Sequence, residues 1–507
     1  MVMVAMSSGG GNYVLVFDCG STNLKAVAVD PTGNICAYAR RPNSPHSQPD
    51  GEPGWLIWDL DEIWRKLCEV SREVSERVGA ENIKAVTVIT WGADGAPVKR
   101  DGNLTYPPIS WQCPRTREIA QKITEQISAW EIFRITGYQI IPFNTLFRLI
   151  WLKRNEPEAL EDAYTWLMMP GLIANKLTGE FHIDPTTAST MMAMNLGRRD
   201  WSATMLELAD LDASFFPEWK EPGEIIGYVS DEAGKKCGLI PGTPVVAGGH
   251  DTQFAIFGSG AKPGETVLSS GTWEILGVRA DTFNPTKKGF EEGLIIEADV
   301  EKGFWNPQFL MIASAVVEWT LNNFFQDISE RRYETIIKKI ESIPPGSNGI
   351  LFIPSFVKDS GPLRKYGALG TVLGLTLNSS RFQIIRAVYE GLTFQMKEAL
   401  RLLAESVNVK IDRIRVVGGG SRNELWNQMR ADVTGLPVIV PVQREAATLG
   451  AALTSFVGIG YYSSMREARK RFFAEEKIFE PNAATNTIYN EVFKRFMESL
   501  ESLKQFY

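Results

Sequence analysis

At 507 residues the chain is longer than one hydrophobic core usually serves, so two or more domains are expected. Its 44% hydrophobic and 22% charged content is ordinary for a soluble protein, and a net charge of -7 argues against a nucleic-acid partner, which needs a basic face. Five scattered cysteines without CxxC spacing and three distant histidines without HExxH exclude a disulfide framework and a histidine-built zinc site. With no apolar run of about eighteen residues and no charged leader, a cytoplasmic protein with no membrane partner is expected.

Tyr13 to Phe17 and Ala26 to Val29 are short β-prone runs joined by Asp18-Cys19-Gly20-Ser21-Thr22-Asn23-Leu24-Lys25, a hairpin signal. Glycine lets the backbone approach a ligand, while Ser, Thr and successive amides can surround phosphate oxygens. An Asp at the strand end can hold Mg²⁺; the plain alternative is a hairpin turn and nothing more. Trp55 to Val78 has helical periodicity, with Trp58, Ile63, Trp64, Leu67, Val70 and Val74 on one face. Ile83 to Thr90 is the next strand, and it runs into Trp91-Gly92-Ala93-Asp94-Gly95. Asp94 reads either as an acceptor for sugar hydroxyls or as an everyday turn residue. After the Asp101-Gly102-Asn103 turn, Trp111 is a sugar-stacking platform or core, and Arg115 a substrate contact or a surface ion pair. Ile119 to Leu177 is mostly helical, interrupted at Gly137, Pro142, Pro157 and Pro170. Asp184, ahead of Pro-Thr-Thr, is a turn or cap residue, and Ser202 to Leu211 a short helix.

The centre of the chain is an apolar run, Pro244 to Ala247, followed by Gly248-Gly249-His250-Asp251. An acid just past a strand end lies where open α/β sheets bind ligands, so Asp251 is a candidate general base; it suits equally the cap of a helix starting near Thr252. His250 is given no role. Thr266 to Val278 then repeats the opening pattern: strand, Gly271-Thr272, Trp273-Glu274, strand. The same hairpin opening each half points to duplicated α/β domains facing one another across a cleft. Ile411 to Val417 is a strand, followed by Gly418-Gly419-Gly420-Ser421-Arg422-Asn423 and a helix from Glu424 to Thr434, an arrangement suited to a nucleotide or phosphate. It does not spell GxGxxG, and no GxxxxGK[ST] occurs, so neither a Rossmann nor a P-loop reading is supported. Pro437 to Val442 is a strand, Ala446 to Ile459 a small-residue helix able to pack closely on the sheet, and a terminal helix follows Pro481.

DCGSTN near residue 18, TWGADG near 90, GGHDTQFAIFG near 250, SSGTWEI near 270 and VVGGGSRNELWNQ near 417, in this order, resemble the FGGY carbohydrate kinases over residues 13 to 475. The resemblance implies an α/β fold of two duplicated actin-like, ribonuclease-H-like domains with ATP and a sugar in the inter-domain cleft. It implies an N-terminal kinase domain over 12–257 carrying the sugar and the first phosphate loop, a C-terminal domain over 258–475 binding ATP, and a helical tail over 476–507. Carried over by motif, Asp251 is the base that activates a sugar hydroxyl, and Asp18 and Asp251 lie near Mg²⁺. Gly20, Ser21, Thr22 and Asn23 form the first phosphate loop, Gly271 and Thr272 the second, and Gly419, Gly420, Ser421 and Asn423 face adenosine. Asp94, Gly95, Trp111 and Arg115 stand where the sugar is expected. Ala93 departs from the glycerol-phosphorylating members, which have arginine there, and this speaks against glycerol. ISWQCPRT and NTLFRLIWLK look most like the branch acting on L-fuculose; the L-rhamnulose branch usually has YRDxRT where this chain has WQCPRT. The implied activity is ATP- and Mg²⁺-dependent phosphorylation of a ketose, L-fuculose first, with L-rhamnulose or a pentulose as the alternative and an actin-like ATPase without a sugar behind both. The implied partner is a small ketose, and the oligomeric state stays open, a homodimer being one option.

Overall fold

The computed structural model describes residues 11–328, 332–357, 361–442, 445–472 and 476–506. Tyr13–Cys19 (β1) and Asn23–Val29 (β2) form the expected hairpin, and β2 pairs antiparallel with Ile35–Pro42 (β3). β1 is buried on both faces from Val14 on, as an apolar run without alternation requires, whereas β3 shows the buried-exposed alternation of a sheet edge. Ile83–Thr90 (β4) lies parallel to β1; Ile225–Tyr228 (β5) and Pro244–His250 (β6) complete a six-stranded sheet in the order β5-β6-β4-β1-β2-β3. A second sheet is built from Thr266–Ser270 (β7), Trp273–Val278 (β8), Ile295–Ala298 (β9), Trp305–Ile312 (β10), Ile414–Val417 (β11), Val438–Pro441 (β12) and Glu476–Phe479 (β13). Its order is β9-β10-β8-β7-β11-β12-β13.

The two sheets repeat one topology. In both, an antiparallel pair lies on one side of the first strand and two parallel strands on the other: β3-β2-β1-β4-β6 matches β10-β8-β7-β11-β12. Residues 21–30 and 271–280 even share their burial position by position. The second turn is one residue tighter, since Ser270 pairs with Glu274 where Cys19 pairs with Leu24.

Helix Leu60–Val78 (α1) starts later than its periodicity predicts. Asp59 accepts from the Glu62 amide as N-cap, and Leu56–Ile57 pairs as a short strand with His46–Ser47, so Trp58 lies outside the helix. The stretch from Ile119 to Leu177 contains Ala129–Thr136, Thr145–Asn155 (α2), Pro157–Glu161 and Met169–Thr178, but also a strand, Thr165–Met168, paired with Gly95–Val98. A four-residue apolar run cannot be told from buried helix by periodicity. Pro157 and Pro170 begin helices instead of interrupting one, as proline's fixed φ favours in a first turn.

Helix Asp251–Gly258 (α3) leaves β6, and in the second half Arg381–Val407 (α4), Glu424–Thr434 (α5), Ala446–Gly458 (α6) and Ala483–Leu503 (α7) follow. α3 and α6 touch backbone to backbone. A Cβ on Gly258 would overlap the Ala446 carbonyl, and one on Gly450 the Phe254 carbonyl, so only glycine permits the approach. α6 also covers the first sheet, where Leu449, Leu453 and Phe456 pack with Val14, Val16 and Val27. The small-residue helix therefore packs on the sheet of the other half. The tail is not wholly helical, because 476–479 form the edge strand β13. α7 buries Tyr489, Phe496 and Leu500 against Tyr389 and Trp426. Among the described residues no helix is long and apolar enough to cross a membrane.

Candidate active site

Asp251 is the first residue of α3, one past the N-cap His250. It opens onto a cleft of about 210 Å³ lined by Asp18, Lys25 and Asp251 from the first half and Ser269, Gly418 and Glu445 from the second. Its side chain keeps 30% of its surface exposed, yet the cleft walls strip much of its water. Loss of hydration pushes its carboxyl up to about 6; the charge of Asp18 adds to this, while His250 opposes it. The segment before it is tightly held. The His250 amide donates to Thr186 Oγ1 at 2.8 Å, and a Cβ on Gly249, at φ +154°, would overlap Thr186 and Asp184. Asp184 is the cap expected, accepting from the Thr187 amide, and its helix Pro185–Ala188 supplies Thr186 to the site.

Across the cleft, Asp18 ends β1 beside Lys25 of β2. Lys25 Nζ lies 3.0 Å from Asp18 Oδ2 and 3.0 Å from Glu445 Oε2, and Thr448 Oγ1 donates to the same Asp18 oxygen at 3.3 Å. Burial alone lowers the affinity of Lys25 for its proton; the two carboxylates more than offset this and hold the ammonium charged. The cation thus joins the two halves at the cleft.

Both hairpin turns present threonine to solvent, Thr22 and Thr272. In the first, the Gly20 amide donates to Asn23 O at 2.8 Å, Gly20 O accepts from Asn43 Nδ2, and Asn23 Nδ2 reaches Thr22 Oγ1 at 3.3 Å, with Ser21 half-buried. In the second, the Gly271 amide donates to Trp273 O at 2.9 Å. Behind this turn Ser270 Oγ donates to Glu274 and accepts from Arg430, and Arg430 and Glu274 form a buried ion pair. The glycines after β11 lock onto the same turn. A Cβ on Gly418, at φ +83°, would stand 2.6 Å from Ser270 O, and one on Gly420 would overlap Ser270 Oγ, while Gly419 faces open space. The helix Glu424–Thr434 has the bounds expected; between it and β11, Gly419–Arg422 forms a 3-10 turn, and Asn423 caps α5 by accepting from the Trp426 amide at 3.1 Å. Ser421 Oγ donates back to Gly418 O. Asn423 is 6% exposed, and its side chain also interacts with the Tyr389 hydroxyl.

The residues expected around the sugar are mostly inside the wall. Asp94 has no exposed surface: Oδ2 accepts from the indoles of Trp58 (2.6 Å) and Trp91 (2.8 Å) and from the Trp111 amide (3.1 Å). Oδ1 stands 2.8 Å from Arg148 Nη2, an ion pair out of hydrogen-bond alignment. Loss of hydration pushes this carboxyl up in spite of Arg148 and the two indoles. Arg148 also donates to the carbonyl of Ala93, whose backbone is left-handed at φ +69°. Gly95 begins a strand where a Cβ would stand 2.5 Å from Leu167 O, so close packing accounts for it. The Arg115 guanidinium lies against the rings of both Trp55 and Trp151, which touch each other edge-on, and donates to Cys113 Sγ, Tyr106 OH and Gln48 Oε1. Every nitrogen is committed to protein, so neither a substrate contact nor a surface pair describes it. In this conformation Asp94, Gly95 and Arg115 build the wall; of the four, the Trp111 ring alone is half-exposed, edge-on to Phe143 at 6.4 Å. Lys25, Glu445, Thr448 and Arg148 were not singled out by sequence, because each meets its partner only through the fold.

Two facing copies of one sheet with acids and a lysine in the cleft are what a phosphoryl-transferring enzyme of the duplicated actin-like class provides. The chain belongs to the FGGY family of carbohydrate kinases: the N-terminal domain of the family matches residues 13–258 and its C-terminal domain residues 266–459. It is therefore a sugar kinase, with ATP as the phosphoryl donor the family implies. It is 38% identical over 468 residues to the L-fuculokinase of Escherichia coli strain K12, which covers 92% of this chain and 97% of that protein. The L-fuculokinase of Salmonella typhi is 36% identical over 477 residues, covering 94% and 99%. Among solved structures, the ligand-bound xylulose kinase from Lactobacillus acidophilus superposes with a TM-score of 0.86 at 21% identity over 97% of this chain and 98% of that one, which shows the fold.

Proposed function

We propose that the chain phosphorylates a ketose, L-fuculose to L-fuculose 1-phosphate, with Asp251 as the base. The observation that carries this is the placement of Asp251 in the shared cleft with its carboxyl raised to about 6, close to the range where a base exchanges protons at neutral pH. Asp251 accepts the proton of the sugar hydroxyl as its oxygen attacks the γ-phosphorus and the bond to ADP breaks. Lys25 offers positive charge where the phosphates gather, and Thr22, Thr272 and the turn amides offer donors to their oxygens. Gly419 leaves room for adenosine, and Asn423 stands buried nearby. Asp18 and Asp251 are the carboxylates suited to Mg²⁺, which when bound neutralises phosphate charge. Among the described residues no cluster of three or more metal-ligating side chains exists, which fits an ion carried largely by phosphates and one or two carboxylates. The half-buried ring of Trp111, beside Phe143, is the stacking surface for the sugar.

The choice of ketose rests on the relatives named above and on WQCPRT at 111–116. The test is ADP release from Mg-ATP with L-fuculose, L-rhamnulose, L-xylulose, D-ribulose, D-xylulose and glycerol. Highest kcat/KM with L-fuculose supports the reading; preference for another ketose overturns the substrate and leaves the kinase intact.

A further inference from the structure

His250 and Glu297 lie behind the base, on opposite halves of the chain. His250 ends β6 of the first sheet, and Glu297 belongs to β9 of the second. His250 Nδ1 is 3.0 Å from Glu297 Oε2, and its Nε2 is 3.6 Å from Asp251 Oδ1. Glu297 is 2% exposed, yet its partners are a phenol, an amide and an imidazole: Tyr138 OH donates to Oε1 at 2.8 Å and Gln253 Nε2 to Oε2 at 2.6 Å. Gln253 is oriented in turn by Asn306 Nδ2 at 2.6 Å. A buried carboxylate is costly, and apolar packing would join two sheets more cheaply. Local glycine fits the ring into place, since a Cβ on Gly92 would stand 3.0 Å from His250 Nε2. β9 itself is docked on the first half, with the Ile296 amide donating to Gly137 O at 2.7 Å and Gln139 Nε2 reaching Phe290 O and Leu294 O.

We infer that Glu297 is a positioning residue that acts through His250: it fixes the imidazole so that Nε2 stands beside one oxygen of Asp251, at ion-pair distance, and biases the carboxylate's orientation for proton abstraction. This rests on the reading of Asp251 as the base. Side-chain contacts to Asp251 fall on Oδ1, from His250 Nε2 and from Thr252 Oγ1 at 3.3 Å, which leaves Oδ2 as the oxygen without a side-chain partner among the described residues. Because Tyr138 and His250 come from the first half and Glu297 from the second, the base is held in place only when the two halves are docked. The arrangement is the one by which outer carboxylates orient a histidine elsewhere in enzymes.

The experiment compares wild type, Glu297→Gln and His250→Gln in steady-state phosphorylation, alongside ¹⁵N-histidine NMR of the wild type. Glu297→Gln keeps the volume and removes the charge; kcat should fall about 10- to 100-fold while the KM for ATP and for the ketose each stay within about threefold. A purely structural role would move both KM values with kcat and lower the melting temperature in step, and that result overturns the inference. So does a kcat within about threefold of wild type. Should the variants fail to fold, the wild-type spectrum decides: among only three histidines, one must show a strongly hydrogen-bonded, slowly exchanging Nδ1 proton, and its absence overturns the contact. A wild type silent with every ketose sinks the functional reading and the inference with it; an active wild type with an unaffected Glu297→Gln sinks the inference alone.

Discussion

Replacing Asp251 by Asn separates catalysis from stability in a way the structure quantifies. The carboxyl is raised from an ordinary 3.8 to about 6, so keeping it ionised in the folded chain costs about 3 kcal/mol at about 1.4 kcal/mol per unit. The sign follows from linkage. A folded-state value above the unfolded one gives stability that is fully present below the unfolded value and is lost as pH rises through the folded one, so wild type bears the whole cost above about pH 7. Asn cannot ionise and escapes it, the attraction to His250 being already part of the net shift. Asp251→Asn should therefore be more stable than wild type at pH 8, by about 1–3 kcal/mol, and nearly equal to it at pH 4, while kcat falls about 10² to 10⁴-fold. Thermal unfolding of both proteins at the two pH values, with turnover at pH 8, makes the comparison. A stability difference independent of pH would refute the raised carboxyl, and turnover within tenfold of wild type would refute the base.

Three further outcomes follow from the same geometry. The kcat/KM of wild type should fall below about pH 6 with the slope of one proton, since Asp251 must be ionised to accept one; a flat profile from pH 5 to 8 would contradict this. Arg148→Met removes the cation beside the fully buried Asp94 and should destabilise by about 3–5 kcal/mol in denaturant unfolding, where a loss under 1 kcal/mol would show the pair to be dispensable. Gly420→Ala places a methyl on Ser270 Oγ and should raise the KM for ATP more than that for the sugar, as measured by varying each substrate in turn; equal rises would mean the glycines do not serve the nucleotide side.

How far the sequence carried differs by element. Both hairpins and Asp251 were legible because the signal is local: a strand, a turn of small residues, an acid at a strand end. The repeat was visible for the same reason, although the packing of α6 onto the first sheet was not, since nothing near Ala446 says which sheet its Leu449, Leu453 and Phe456 face will meet. The periodicity predicts a helix from Trp55, but the Asp59 cap starts α1 at Leu60, and Trp58 instead serves Asp94. The sequence offers Arg115 as a substrate contact or a surface pair, yet it sits in a cage drawn from Gln48, Trp55, Tyr106 and Trp151 that no local pattern announces. Lys25 and Glu445 stand 420 residues apart and Glu297 lies 47 from His250, so their roles exist only once the two halves face each other.

If this cleft transfers the γ-phosphoryl group of ATP to a sugar hydroxyl and not to water, ADP release by the wild type with and without L-fuculose, with sugar phosphate counted in the same samples, shows it. Release should be slow without sugar and strongly stimulated by the ketose, with one sugar phosphate formed for each ADP. Equal ADP release in the presence and absence of sugar, with free phosphate as the product, would contradict it.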